Sequence, residues 1–118
     1  MKLDLVSHDA PIHSIASSGA ITLSAVQGKG GQDPLDQILG PKSAGCRILF
    51  DLSKTNYVDS AGVSWFINRH KKSKEAGGCF VLHSVPPLVM QVLQLLHMDK
   101  LLHIAEDEAT ARSVAEQS

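Results

Sequence analysis

Aromatic residues make up only 4% of the chain, as three phenylalanines, one tyrosine and one tryptophan. The one basic run, RHKKSK at residues 69–74, has no aromatic interleaved with it, so a stacking platform for single-stranded nucleic acid is not expected. Cations near a helix C-terminus are favourable on their own account, and no direct nucleic-acid partner is expected. Cysteine is scarce too. Cys46 and Cys79 fit neither a CxxC nor a zinc pattern, which favours reduced thiols over a structural bridge. Because each precedes a predicted parallel strand, a redox pair is the minor alternative. Long apolar runs are absent: PLVMQVLQLL is interrupted by Gln91 and Gln94 and falls short of the roughly 20 residues a membrane helix needs. The start, MKLDLVSHDAP, carries Asp4 and no apolar stretch of signal-peptide type. A cytoplasmic protein without membrane insertion is therefore expected. With a net charge of -1, 43% hydrophobic and 19% charged residues, neither disorder nor a general affinity for polyanions follows.

The six histidines show no HExxH and no tight cluster, so His83, His97 and His103 are expected to be structural or exposed, with no metal. The GKGG loop lacks the Lys-Ser/Thr of a phosphate-binding loop. No cofactor is expected, and any ATP would belong to a partner.

What is present suits one domain over residues 1–118. LDLVSH (3–8) and IHSIAS (12–17) alternate with a period of two around the turn signal Asp9-Ala10-Pro11, predicting an antiparallel hairpin. Gly19 and the apolar AITLSAV follow, then QGKGGQDP, a glycine-rich loop. Asp33 as cap and Pro34 at the first position start a short helix through Leu35, Ile38 and Leu39, ending near Gly40-Pro41. ILFDL (48–52) reads as a strand buried on both faces. A helix is predicted from Asp59 or Ser60 to Ala76, stopped by Gly77-Gly78, with Val63, Phe66, Ile67 and His70 on one face and Trp65 on another. FVLH (80–83) reads as a second buried strand. Pro86-Pro87 opens a helix with Leu88, Val89, Val92, Leu93, Leu95 and Leu96 on one broad stripe. Leu101 to Ile104 forms a short last strand, and Asp107 caps a polar C-terminal helix. The order, two strands then repeated αβ units, predicts an α/β fold: a mixed sheet with helices mainly on one face and a right-handed crossover around Ser60.

YVDSAGVSWF (57–66) places Ser60 where strand becomes helix. A serine there can be a nucleophile, a phosphate acceptor or a plain cap. The GxSxG elbow is missing and His70 lies nearly three turns further along the same helix, which disfavours the hydrolase reading. Asp59 can orient a partner or simply favour the helix start. Gly62 can admit a partner's backbone or relieve strand–helix packing. Trp65 can anchor a partner or pack inside. Met90 on the polar side of its helix is unremarkable as a lone apolar residue.

The run ILFDLSKTNYVDSAGVSWF, with EAGGCFVLHSVPP, Gly19 and VLQLLHMDKLL, resembles the STAS domain, the fold of bacterial anti-sigma-factor antagonists and of sulfate-transporter tails. The sharpest match is Asp59-Ser60-Ala61-Gly62-Val63. Between Gly19 and Gly45 the sequence departs from the family, replacing the acidic start of its first helix with GAITLSAVQGKGGQDP. The resemblance implies a non-enzymatic signalling module that binds an anti-sigma factor with serine kinase activity through Asp59, Ser60, Ala61, Gly62, Val63 and Trp65. It further implies phosphorylation of Ser60 by that partner, with reversal by a metal-dependent PP2C-like phosphatase. The alternative is a constitutive docking or scaffold subunit of a stress-sensing assembly or of a lipid or anion transporter. A domain of this size can act as monomer or homodimer.

Overall fold

A computed structural model describes residues 1–9, 12–27 and 29–117. Five strands form one sheet in the order β1-β2-β3-β4-β5. β1 (Lys2–Asp9) pairs antiparallel with β2 (Ile12–Ile21), in the hairpin that the alternating pattern predicts. Ala10 and Pro11 of its turn lie outside the described residues, as does Gly28 of the glycine-rich loop. β3 (Arg47–Val58), β4 (Cys79–His83) and β5 (His103–Ala105) then add in parallel.

Two strands run longer than the apolar pattern indicates. β2 continues through Ile21, and β3 continues six residues past Leu52, pairing Ser18 with Lys54 and Ile21 with Val58. Along this extension the buried positions are Leu52, Thr55 and Val58, a spacing of three rather than two. Register shifts between Ala16 and Ser18 and between Gly19 and Ala20 accommodate it. Such irregularities break the alternation on which a strand is read. β5 also differs from expectation. It starts at His103, because Leu101 directly follows a 3-10 turn over Met98–Lys100 and stays exposed.

Five helices complete the fold: α1 (Leu23–Gln27), α2 (Pro34–Leu39), α3 (Ser60–Ala76), α4 (Pro87–Leu95) and α5 (Glu108–Gln117). α1 begins within the apolar segment after Gly19. α2 has Asp33 as its cap, with the Asp33 carboxylate accepting from the Leu35 N–H at 2.9 Å. α3 runs from the Asp59 cap to Gly77, whose φ of 79° is the left-handed conformation that ends a helix.

The core is two-sided. Ile15, Ile48, Phe50, Phe80 and Leu82 of the sheet meet Val63, Trp65 and Phe66 of α3 and Val89 and Leu93 of α4, and Leu35 of α2 joins them. On the opposite face Ile12, Leu49 and Val81 pack on Ala111 and Ala115 of α5. Four helices thus cover one face and α5 alone the other, which explains why the apolar run of β3 is buried on both faces: Ile48, Leu49 and Phe50 are each fully buried.

The buried stripe of α3 is rotated from the apolar stripe of its sequence. It comprises Gly62, Val63, Trp65, Phe66, Arg69 and Ser73. Arg69, the first residue of the basic run, is 1% exposed. Its Nη2 donates to Ser43 Oγ at 3.0 Å, and its Nη1 lies 3.9 Å from Asp33 and 3.7 Å from Asp36. Ser43 in turn hydrogen-bonds Asp36, and the Trp65 Nε1–H donates to Asp33 at 2.8 Å. The two acids of α2 and its cap therefore neutralise a cation buried under the loop, so α3 faces both the sheet and the α2 segment.

Candidate functional site

The end of β3 delivers Asp59 in extended conformation, with φ -92° and ψ -178°. One carboxylate oxygen accepts from the Gly62 N–H at 2.9 Å, a first-turn donor of α3 that has no partner within the helix. The other accepts from the Leu23 N–H at 3.1 Å, the first residue of α1. The Asp59 backbone N–H donates to Ile21 O at 3.2 Å. Asp59 thus ties the starts of two helices to the end of β2. Ser60 follows as the first residue of α3 and is exposed, while Ala61 is half-buried.

Gly62 makes this junction tight. A methyl group on it would lie 2.6 Å from Ile21 O and 2.8 Å from Val58 Cγ1, so its role is strand–helix packing rather than admission of a partner's backbone. Two further expected contact residues also face inward. Val63 is 4% exposed and Trp65 6%. The Trp65 ring meets Phe50 and Phe80 edge-on and tilts against Phe66. Trp65 leaves the sequence-derived apolar stripe because α3 is covered on a second side by α2, whose cap takes the indole N–H. Of the six residues expected at a docking surface, the structure leaves Ser60 exposed and Asp59 and Ala61 partly so.

Part of the broad apolar stripe of α4 stands outside the core. Leu88 is 70% exposed and Leu95 79%, because only Val89 and Leu93 of α4 are buried. Tyr57 and Val58 of β3 and Leu88, Val92 and Leu95 of α4 line an open groove of about 270 Å³. Two wall residues, Tyr57 and Val58, lead directly into Asp59 and Ser60. On the α1 side Leu23 is exposed as well. The signal for this surface was in the sequence: α4 carries six apolar residues, more than the single face a helix of nine residues can bury.

His70 stands ten positions on from Ser60, about 15 Å along the helix axis. It faces His103, and its pKa is lowered, first by burial and then by repulsion from His103 and Lys74. Among the described residues no group of three or more His, Cys, Asp or Glu could hold a metal ion, and no helix is long and apolar enough to cross a membrane. Among the described residues, Cys46 and Cys79 are not joined in a disulfide. What the arrangement offers is an exposed hydroxyl at the start of a 17-residue helix, where spare N–H groups and the helix dipole tolerate an added anion, beside an uncharged groove.

The family model described as STAS domain matches residues 15–111. The chain belongs to the STAS domain family. This STAS domain also resembles solved structures. One is an anti-sigma-factor antagonist (STAS) domain protein from Planctomyces limnophilus, with TM-score 0.72 and 20% identity over 97% of both chains. Another is the anti-sigma factor antagonist SpoIIAA in its unphosphorylated form, with TM-score 0.64 and 15% identity over 99% of both chains. A third is the Bacillus cell fate determinant SpoIIAA in the phosphorylated form, with TM-score 0.59 and 19% identity over 96% of this chain and 97% of that one. At such identities the likeness is one of fold, and it extends from the hairpin to α5.

Proposed function

We propose that this STAS domain is a single-domain, non-enzymatic binding module that captures an anti-sigma factor with serine kinase activity, and that phosphorylation of Ser60 releases it. The observation that carries the reading is Ser60 itself, exposed at the start of α3 with Asp59 as the preceding cap. That a related fold is known in phosphorylated and unphosphorylated forms supports it. A phosphate at this position adds about 1.5 to 2 negative charges next to the Asp59 carboxylate. The helix N-terminus accommodates that charge without unfolding, while a partner covering the neighbouring apolar groove has to desolvate it. The switch therefore acts on docking and not on the fold. A PP2C-like phosphatase resets it, and the cytoplasm is where such a partner cycle operates.

The contact surface in this reading is Ser60 with Asp59, Ala61, Leu23, Tyr57, Leu88 and Leu95; Gly62, Val63 and Trp65 support it from beneath. The test begins with phosphopeptide mass spectrometry on protein from its native cells, with a Ser60→Ala strain as control, and with identification of the partner by affinity capture. Ser60→Asp is expected to weaken that complex at least about tenfold, and Ser60→Ala to preserve it. Leu88→Ser with Leu95→Ser is expected to weaken it at unchanged folding stability. Equal affinity of the Asp and Ala variants, together with loss in the leucine variant, would replace the switch by constitutive docking in a stress-sensing or transporter assembly, a reading favoured by the groove alone.

A further inference from the structure

The two edges of the sheet are unequal. β5 has three residues and β1 has eight, and among the described residues no strand pairs with the outer side of β1. A long free edge presents unpaired N–H and C=O groups as a template for another strand. The segment MKLDL at this edge alternates cleanly. Met1, Leu3 and Leu5 lie towards the face covered by four helices: Met1 and Leu3 pack against the core there, and Leu5, opposite Ile15, is 42% exposed. Lys2 and Asp4 lie on the other face and are both exposed. Past Leu5 the register shifts before Ser7, which ends the regular edge. Beside the apolar row, Met1 and Leu3 border an open groove of about 380 Å³ against Ala25 of α1 and Pro34 and Ile38 of α2.

We propose that MKLDL pairs antiparallel with the same segment of a second copy of this chain, in a two-fold dimer whose axis passes through Leu3. In that register Leu3 faces Leu3, Met1 faces Leu5, and Lys2 faces Asp4 of the second copy. Every opposed pair then matches, apolar with apolar on the helix side and cation with anion on the other, and directly opposed side chains are the ones that interact across an antiparallel pair. Charge selects the occupant. A like-charged edge would repel its own copy, whereas a lysine and an aspartate two positions apart complement an antiparallel strand carrying the same order, which the chain itself supplies. Charge also fixes the register. A slip of two residues either way sets Lys2 against Lys2 or Asp4 against Asp4, and a slip of one sets charged residues against apolar ones. The apolar row of the second copy extends the wall that Met1 and Leu3 give the groove. Five paired residues a side fall short of the roughly 1,200–2,000 Å² of a standard stable interface, so association is reversible and half complete at roughly 100 μM. Two-fold pairing uses the β1 edge of both copies, so the assembly closes at two. It does not rest on the reading of Ser60.

The test is sedimentation equilibrium of the full, tag-free chain from about 10 μM to about 1 mM, a range that brackets the expected midpoint. A monomer–dimer equilibrium is expected. Lys2→Asp and Asp4→Lys each set like charges against one another at two places in the pairing and are expected to weaken association at least about tenfold. Both positions are exposed, so the unfolding midpoint should stay close to that of the wild type. Mixing the two single variants makes their edges complementary again and should restore the dimer, as should the double variant Lys2→Asp with Asp4→Lys. A wild type that stays monomeric across the range overturns the proposal, including the case in which a strand of another protein takes the edge. Single variants that associate like the wild type, or a mixture and a double variant that both stay monomeric, would overturn it as well.

Discussion

In its first turn α3 leaves Ser60 open to solvent, while two turns on Arg69 is 1% exposed and held by Asp33, Asp36 and Ser43. Both regions combine an acid, a serine and a helix surface, yet they are organised in opposite ways. Around Arg69 the guanidinium Nη atoms meet Asp33, Asp36 and Ser43, its Nε and the nearby Ser73 Oγ stay buried without a hydrogen-bond partner, and the aromatic rings of Trp65, Phe66 and Phe50 fill the space beside them. Around Ser60 each oxygen of the half-buried Asp59 carboxylate accepts one backbone N–H, and the neighbouring hydroxyl and the groove of Tyr57, Leu88 and Leu95 stand open to solvent. A closed polar cluster holds the loop and α2 to the helix; an open one is available for chemistry by another protein.

The comparison breaks most visibly at Arg69. Arg69→Ala removes the cation from a buried pair, which typically costs 3–5 kcal/mol; because Asp33 and Asp36 retain 15% and 26% exposure and can be rehydrated, about 3 kcal/mol is expected. Urea unfolding measures it, and a loss below about 1 kcal/mol would show the cluster to be a surface ion pair in effect. Gly62→Ala comes next. Its methyl group meets the Ile21 carbonyl at 2.6 Å, so overpacking of about 2 kcal/mol is expected despite the better helix propensity of alanine. Because that shift falls under Ser60, partner binding should drop together with stability, whereas Arg69→Ala should lower stability alone.

The smallest effect is expected at α5, which has the same cap chemistry and no open site beside it. The Asp107 carboxylate accepts from the Thr110 N–H at 2.8 Å, and that backbone bond, with the Thr110 hydroxyl second, lowers its pKa below the ordinary 3.8. A depressed carboxylate favours the folded state above its unfolded value and loses that contribution as the pH falls through its folded value. Asp107→Asn should therefore shallow the acid limb of a stability–pH profile below about pH 4 and leave neutral-pH binding untouched. An unchanged acid limb would show that the cap carries no linkage.

Much of this was legible in residues. The two period-two runs read as a hairpin and are one; Asp33-Pro34, Asp59-Ser60 and Gly77 mark helix ends that stand where expected, because capping is a local geometry of a few neighbouring atoms. The extension of β3 through TNYV was not legible, since bulges shift its burial to every third residue. Trp65 and Arg69 were misplaced for a different reason. Helical periodicity describes one buried face, and α3 has two neighbours, the sheet and the α2 segment, whose cap Asp33 lies 32 residues upstream of Trp65.

The sequence by itself determined the order of the elements apart from α1, the caps of α2 and α3, the α/β class and the position of Ser60 at a strand-to-helix junction, because propensity, capping and alternation act between near neighbours along the chain. Only the tertiary structure decided that Trp65 and Val63 lie inside, that Leu88 and Leu95 lie outside, and that His70 meets His103. Those outcomes depend on which surfaces of each helix find a neighbour, and that is set by the crossing of elements distant in sequence.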